Sequence, residues 1–333
     1  MKTEKTQVLL LCGGGSTEHE VSLVSSNRLK DSLSKSGSFD SLTVEIGKDG
    51  LWRSNGVVGE LNFKQEFVFG KDKFKVDIVI PCIHGFPAET GDLQSMLELL
   101  KIPYIGCKSE ASLLCFNKVS TKLWLNALGV PNTPFIFLND QNPSSIKKAQ
   151  TFFAQYGKVF IKASSQGSSV GVYPASTIEE LNLNIEKAFR FSPYILIEKA
   201  VRGRELEVSI YEFQGQLHVS YPGEIVCPDK FYSYEEKYSD NSATNTHIKA
   251  PSLSEKNVQL LQSFAKQAFL GLKLRHLSRI DFFLEGEDIL LNEINTFPGL
   301  TPISMFPKML ESNGHNFDEF LREIIKLTLE EKN

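Results

Sequence analysis

Arg279, Asp281, Glu293 and Asn295 carry the densest chemistry in the chain, within the stretch Arg-Ile-Asp-Phe-Phe-Leu-Glu-Gly-Glu-Asp-Ile-Leu-Leu-Asn-Glu-Ile-Asn that runs into Thr-Phe-Pro-Gly299. Two carboxylates and an amide are hard oxygen donors, the type that holds Mg²⁺ together with phosphate oxygens. Both halves of the stretch alternate apolar and polar, which predicts a β-hairpin. With a three-residue turn at Gly286-Glu287-Asp288, Glu285 pairs with Ile289, and counting outward sets Asp281 opposite Glu293 and Arg279 opposite Asn295. Opposed residues of an antiparallel pair share a face, so all four point one way while Ile280, Phe282, Leu290 and Ile294 face a core. A merely solvated hairpin face is the competing reading.

Four other segments could do chemistry. Gly13-x-Gly15-x-x-Glu18 has a glutamate where a dinucleotide fingerprint needs its third glycine. A carboxylate at a helix N-terminus suits an ammonium group or capping, with Ser16 or Thr17 as the N-cap. Lys162-Ala-Ser-Ser-Gln-Gly-Ser168-Ser-Val-Gly171 is a strand end followed by a loop rich in hydroxyls and backbone donors, able to close over phosphates. It is not a P-loop. Lys118 and Lys162 are its candidate phosphate contacts, and Glu198 and Glu205 are placed to meet an adenine amine and ribose hydroxyls. His84-Gly-Phe-Pro-Ala-Glu-Thr-Gly follows a strand, where ligands bind in open α/β sheets. The run Phe231-Tyr-Ser-Tyr-Glu-Glu-Lys237-Tyr238-Ser-Asp has four aromatics and no usable period, as in a lid that excludes water.

The elements that must position these residues alternate strand and helix over residues 7–115, implying a parallel sheet with helices on its faces. Val8 to Cys12 reads as a buried strand, and Glu18 to Leu33 as a helix with Val21, Val24, Leu29 and Leu33 on one face. Helices are expected at Lys118 to Leu128, Ser144 to Tyr156 and Ser254 to Leu272, with strands at Val159 to Ala163 and Tyr194 to Glu198.

Composition bounds the function classes. A chain of 333 residues with 41% hydrophobic content calls for two or three subdomains. A net charge of -4 without a basic run argues against nucleic acid. The five cysteines have no C-x-x-C spacing and read as reduced thiols, and no segment reads as a signal peptide or membrane span. A soluble, cytoplasmic chain is the expectation.

Gly-Gly-Gly-Ser-Thr-Glu-His-Glu-Val-Ser (13–22), His-Gly-x-x-x-Glu-x-Gly (84–91), Asn-Lys118 with Thr-Lys122, and Lys162 to Gly171 come in one order with Glu198-Lys199, Glu205, Phe-Tyr-x-Tyr-x-x-Lys237-Tyr238, Arg279-Ile-Asp281 and Asn-Glu293-Ile-Asn295-Thr-x-Pro-Gly299 with Ser304. The combination resembles the D-alanine–D-alanine ligase family of ATP-grasp enzymes over nearly the whole chain. Ala88 and Thr90 depart from it, standing where the family has a glycine and an aspartate.

The resemblance implies an α/β ATP-grasp fold in three subdomains: an N-terminal parallel-sheet α/β domain over 1–117, a central α+β domain over 118–205, and a C-terminal α+β domain with an antiparallel sheet over 206–333, including a lid at 229–246. It implies ATP between the central and C-terminal subdomains, with Lys118 and Lys162 on phosphates, Lys199 near adenine, Glu198 on the adenine amine and Glu205 on the ribose. Asp281, Glu293 and Asn295 would hold two Mg²⁺ ions, or Mn²⁺ in their place. Glu18 and His84 would fix the first D-alanine, whose carboxylate attacks the γ-phosphate to give an acyl phosphate. Arg279 and the Gly299 N–H would stabilise the oxyanion formed by the second D-alanine, held by Ser304 and Lys237. Glu18, Ser168 and Tyr238 would close the site. A homodimer is implied too. The alternatives are a D-alanine–D-lactate or D-alanine–D-serine ligase, against which Lys237-Tyr238 speaks, and a non-catalytic nucleotide or amino-acid sensor, which would be expected to lack Arg279 or a metal ligand.

Overall fold

The computed structural model describes residues 5–226 and 245–331. Three sheets organise them. The first is built on β1 (Thr6–Gly13), whose Val8, Leu9, Leu10 and Leu11 are fully buried, each side chain contributing about 1.5–3 kcal/mol of transfer free energy. β2 (Phe39–Ile46) and β7 (Ile78–Pro81) flank it in parallel.

The sheet is not parallel throughout, contrary to expectation. β3 (Trp52–Ser54), β4 (Val57–Leu61), β5 (Glu66–Phe69) and β6 (Asp72–Lys75) extend it as an antiparallel meander in the order β6-β5-β4-β3-β2-β1-β7. Asn55-Gly56, both with positive φ, joins β3 to β4. Two residues permit only an antiparallel return, since a parallel crossover needs a dozen or more.

Helix α1 (His19–Ser36) packs on this sheet through a face that hydrophobic periodicity did not pick out. Val24 is 49% exposed, while Ser22, Ser25, Ser26 and Ser32 are buried beside Leu29 and Leu33. Ser22 Oγ donates to the Cys82 carbonyl at 2.5 Å and accepts from the Gly13 N–H at 2.7 Å, so a small hydroxyl completes backbone groups at the strand ends. α2 (Asp92–Leu99) and α3 (Ser109–Phe116) follow β7.

The second sheet is antiparallel, in the order β10-β9-β11-β8: β8 (Phe135–Leu138), β9 (Val159–Ala163), β10 (Val172–Ala175) and β11 (Ile195–Lys199). α5 (Pro143–Tyr156) starts on an Asn142 cap with proline in its first turn. With α6 (Ile178–Ala188) it buries Ile161, Ile195 and Ile197 on one face. The other face carries Lys162 and Glu198 toward α4 (Lys118–Leu128).

The third sheet runs β15-β14-β12-β16-β17: β12 (Arg204–Phe213), β14 (Gly223–Val226), β15 (Asn245–His247), β16 (Leu277–Glu285) and β17 (Asp288–Asn295), with β13 (Gln216–Val219) paired to β12. α7 (Glu255–Gly271) covers its apolar face through Leu261, Ala265 and Phe269, packed on Leu206, Val208 and Ile280. α8 (Met305–Ser312) and α9 (Phe317–Glu330) join this sheet to the first, in one core with Val8, Leu29 and Tyr211.

Cys12, Cys82, Cys107 and Cys115 are buried free thiols. No described helix is long and apolar enough to cross a membrane.

Candidate active site

The polar face of the third sheet assembles from β12, β16 and β17. The hairpin pairs Arg279 with Asn295 and Asp281 with Glu293, as expected, but by another route. The turn holds two residues, Gly286-Glu287, so Glu285 pairs with Asp288 rather than Ile289. A one-residue irregularity between Asp281 and Phe282 then restores the register, as a β-bulge does. Between turn and bulge the faces are exchanged, so Ile289 and Leu291 enter the core and Leu290 does not.

β12 adds Glu207, which sequence reasoning missed. It pairs with Asp281, and its Oε1 lies 3.3 Å from Arg279 Nε. The signal was present in Leu206-Glu207-Val208-Ser209-Ile210, whose apolar residues alternate toward the core. Arg279 donates to Asp281 from Nε and Nη2, both at 2.8 Å, and Asn295 Nδ2 donates to Asp281 Oδ2 at 3.0 Å. Burial pulls the guanidinium pKa down, and Asp281 and Glu207 more than offset it, so Arg279 stays cationic. Glu205 sits two residues along from Glu207, opposite Phe283. One face thus runs from Glu205 through the carboxylates to Arg279, in steps of about 7 Å per two residues.

The loops of the first sheet face this cluster. Glu18 is the N-cap of α1, yet its side chain makes no cap hydrogen bond. Ser16 turns the chain instead, with Oγ accepting from the Glu18 N–H at 3.2 Å and donating to the His84 carbonyl at 2.6 Å. His84 is buried and its Nδ1 lies 3.2 Å from the Phe297 carbonyl. A carbonyl only accepts, so Nδ1 carries the proton. Burial lowers the His84 pKa, leaving a neutral ring whose Nε2 has a lone pair and no hydrogen-bond partner among the described residues. Glu18 and Arg279 both act electrostatically on His84, which places the three in one neighbourhood.

Glu89 belongs there as well. Its carboxylate accepts from the Gly85 N–H at 2.7 Å, while burial and then the charge of Glu18 push its pKa to about 8. The loop around Ala88 and Thr90 is closed by this bond and by Glu89 N–H to the Gly85 carbonyl at 2.8 Å. After β17, the Leu300 N–H donates to Ser25 Oγ of α1 at 3.3 Å. Ser304 Oγ meets the Thr301 hydroxyl at 2.7 Å, and a Cβ on Gly299 would stand 3.0 Å from that oxygen.

The Gly/Ser loop lies between the two halves. Lys118 begins α4, its N–H donating to the Ser164 carbonyl at 2.8 Å and its Nζ to the Gln166 carbonyl at 2.6 Å. A Cβ on Gly167 would come within 3.2 Å of Glu18 Oε2, so the loop tip touches the first half of the site. Ser168 and Ser169 hold φ of 50° and 62°, a region non-glycine residues enter at a cost, and Ser168 Oγ is buried without a hydrogen-bond partner among the described residues. Lys162 contacts Glu198 directly, and Lys122 Nζ lies 3.2 Å from its other oxygen. Burial pushes the Glu198 pKa up, but the two lysines overcome it and hold the carboxylate below its ordinary range. Lys199 pairs with Glu285 at the hairpin tip.

Lys237, Tyr238 and positions 229–244 of the expected lid lie outside the described residues, whereas Asn245 and Thr246 belong to β15. Among the described residues no group of three or more His, Cys, Asp and Glu side chains is gathered to hold a metal. The donor set of Asp281, Glu293 and Asn295 nevertheless fits a hard divalent cation: two carboxylates and one amide on adjacent strands, with both oxygens of Asp281 now taken by Arg279.

Comparison with known proteins gives the family. Residues 7–107 match the family described as D-ala D-ala ligase N-terminus, and residues 124–326 match D-ala D-ala ligase C-terminus. The chain is 53% identical over 328 residues to the D-alanine–D-alanine ligase of Vibrio cholerae serotype O1 (strain M66-2), covering 98% of both chains. It superposes on the crystal structure of D-alanyl-alanine synthetase A from Vibrio cholerae O1 with a TM-score of 0.94, at 53% identity over 98% of this chain and 99% of that one. The VanG D-Ala:D-Ser ligase structure from Enterococcus faecalis gives 0.86 at 26% identity, over 98% of this chain and 100% of that one. Matched across both halves and over almost its full length, the chain belongs to the D-alanine–D-alanine ligase family.

Proposed function

We propose that the protein joins two D-alanines at the expense of ATP, supplying the dipeptide for peptidoglycan precursors, and that it does so with the residues assembled above. The observation that carries this reading is the meeting of Glu18, His84 and Arg279 from different elements beside the Asp281 and Glu293 pair. Glu18 holds the ammonium of the first D-alanine, and neutral His84 offers Nε2 as an acceptor nearby. The carboxylate of that D-alanine attacks the γ-phosphorus of ATP, ADP leaves, and an acyl phosphate forms. Lys118 and Lys162 hold phosphates under the Gly/Ser loop, Glu198 and Lys199 take adenine, and Glu205 takes the ribose. The amine of the second D-alanine, whose carboxylate rests on Ser304 and Lys237, then attacks the acyl carbon. Arg279 and the Gly299 N–H stabilise the oxyanion before phosphate leaves, a role that preorganised donors fill without rearrangement. Glu18, Ser168 and Tyr238 close the site.

Asp281, Glu293 and Asn295 would hold Mg²⁺, two ions by family resemblance with Mn²⁺ able to substitute, which supplies charge neutralisation to the transferring phosphoryl group. The same reading assigns subdomains 1–117, 118–205 and 206–333, a homodimer and a cytoplasmic location, all resting on the resemblance. The 53% identity to a D-alanine–D-alanine ligase, against 26% to a D-Ala:D-Ser ligase, favours D-alanine as second substrate. Phosphate release from ATP with D-alanine, L-alanine, or D-alanine plus D-lactate or D-serine tests the assignment. Stimulation by D-alanine alone is expected; its absence, with no dipeptide formed, would reject it.

A further inference from the structure

Lys122 is the most deeply buried lysine of the site, 2% exposed, and the proposed chemistry gives it no task. It stands one helical turn after Lys118 on α4, so both side chains point to the same face. Its Nζ donates to the Thr133 carbonyl at 3.2 Å, lies 5.5 Å from the Phe135 ring centroid, and forms an ion pair with Glu198 Oε2 at 3.2 Å. Phe135 is the residue paired with Glu198 across β8 and β11. Lys162, on β9, takes Oε1, the other oxygen.

The two lysines are not equivalent. Lys162 is more exposed and borders the Gly/Ser loop, so it is the one free to turn toward phosphate; when it does, Oε1 is released and Glu198 keeps only Lys122. A buried carboxylate with no cation protonates. As a carboxylate, Glu198 only accepts hydrogen bonds and matches the exocyclic amine of adenine; as an acid, it donates and matches the carbonyl of hypoxanthine or guanine.

We infer that Lys122 is a positioning residue that keeps Glu198 an acceptor throughout the nucleotide cycle, and thereby makes the site select an amine-bearing purine. The inference rests on the proposed placement of Glu198 at adenine. It does not depend on the ligase chemistry, because binding alone reads it out.

The test is calorimetric measurement of ATP and ITP dissociation constants for the unaltered protein, Lys122→Met and Glu198→Gln, at about pH 6 and about pH 8, the upper value staying below the ionisation of the hypoxanthine N–H while moving toward that of a buried carboxyl. The unaltered protein is expected to prefer ATP at both pH values, by about ten- to hundredfold, the worth of one charge-assisted hydrogen bond. Lys122→Met is expected to lose at least about tenfold of that preference at the lower pH and to recover it at the higher, as Glu198 ionises. Lys122→Arg, which keeps the charge, retains it. A purely structural lysine would lower the melting temperature of Lys122→Met and leave the ATP to ITP ratio unmoved at both pH values, which overturns the inference. If Lys122→Met does not fold, Lys122→Gln, able to donate to Thr133 but uncharged, is measured in its place. If Glu198→Gln leaves the ratio unchanged, the placement of Glu198 at adenine falls, and this inference with it. If Glu198→Gln shifts the ratio and Lys122→Met does not, only the role of Lys122 falls.

Discussion

Arg279 grips Asp281 through both carboxylate oxygens, with Nε to Oδ1 and Nη2 to Oδ2 each at 2.8 Å. A guanidinium so placed occupies oxygens that a divalent cation would need, so the arginine and a cation held there would compete for Asp281. Arg279→Met should therefore lower the Mg²⁺ concentration needed for half-maximal ATP binding. Dipeptide formation should fall by about a hundredfold, the usual loss of one preorganised oxyanion donor. Magnesium titrations followed by nucleotide fluorescence, with product counting, check both. A higher Mg²⁺ demand would contradict the competition.

Glu293 faces Asp281 across the hairpin. Glu293→Gln keeps its size and removes one negative charge from the oxygen set, so Mg²⁺ demand should rise and turnover drop by about tenfold or more, as lost charge neutralisation in phosphoryl transfer predicts. The melting temperature should move little. Unchanged kinetics at low Mg²⁺ would sink the metal assignment.

Glu89 makes stability depend on pH. Its folded pKa of about 8 lies above its ordinary 4.5, so the folded state holds a proton that the unfolded state has released. This contribution is complete below about pH 4.5 and is lost as pH rises through about 8, at up to about 1.4 kcal/mol per pH unit between. Glu89→Gln, still able to accept from the Gly85 N–H, should lack that slope. Urea denaturation at several pH values measures it, and parallel pH profiles for both proteins would refute the shift.

Ser22 joins α1 to the ends of β1 and β7 through Gly13 and Cys82. Ser22→Ala removes only the hydroxyl and leaves the Gly13 N–H and the Cys82 carbonyl without this partner, a loss of about 1–3 kcal/mol. Chemical denaturation should show that destabilisation; a neutral or stabilising result would mean that packing, not the hydroxyl, holds the helix.

Ser22 also marks where sequence reading fell short. Period counting scores leucine and valine, so it put Val24 in the core and overlooked four buried serines; Ser22 is held there by backbone groups at two strand ends and Ser25 by the Leu300 N–H, partners distant in sequence. The expected parallel pairing holds for β2, β1 and β7, and the sheet becomes mixed where Asn55-Gly56, a two-residue hairpin signal, outweighs the strand and helix alternation around it. The hairpin of Arg279 and Asn295 was legible because alternation fixes which residues share a face, and an overlong turn happened to cancel an unseen bulge. Glu207 was visible in the β12 alternation, but its meeting with Arg279 depends on strand pairing across 72 positions, which local spacing does not encode. Lys122 and Glu198 are of the same kind, joined only once α4 lies on the second sheet.

The central claim is that the carboxylate of one D-alanine attacks ATP and that the second amine then displaces phosphate from the resulting acyl phosphate. Supplying D-alanine with both carboxyl oxygens as ¹⁸O, and analysing the products by mass spectrometry, tests it most directly. The account predicts that one labelled oxygen leaves with each inorganic phosphate while the new dipeptide bond keeps the other. Unlabelled phosphate released alongside a dipeptide would contradict it.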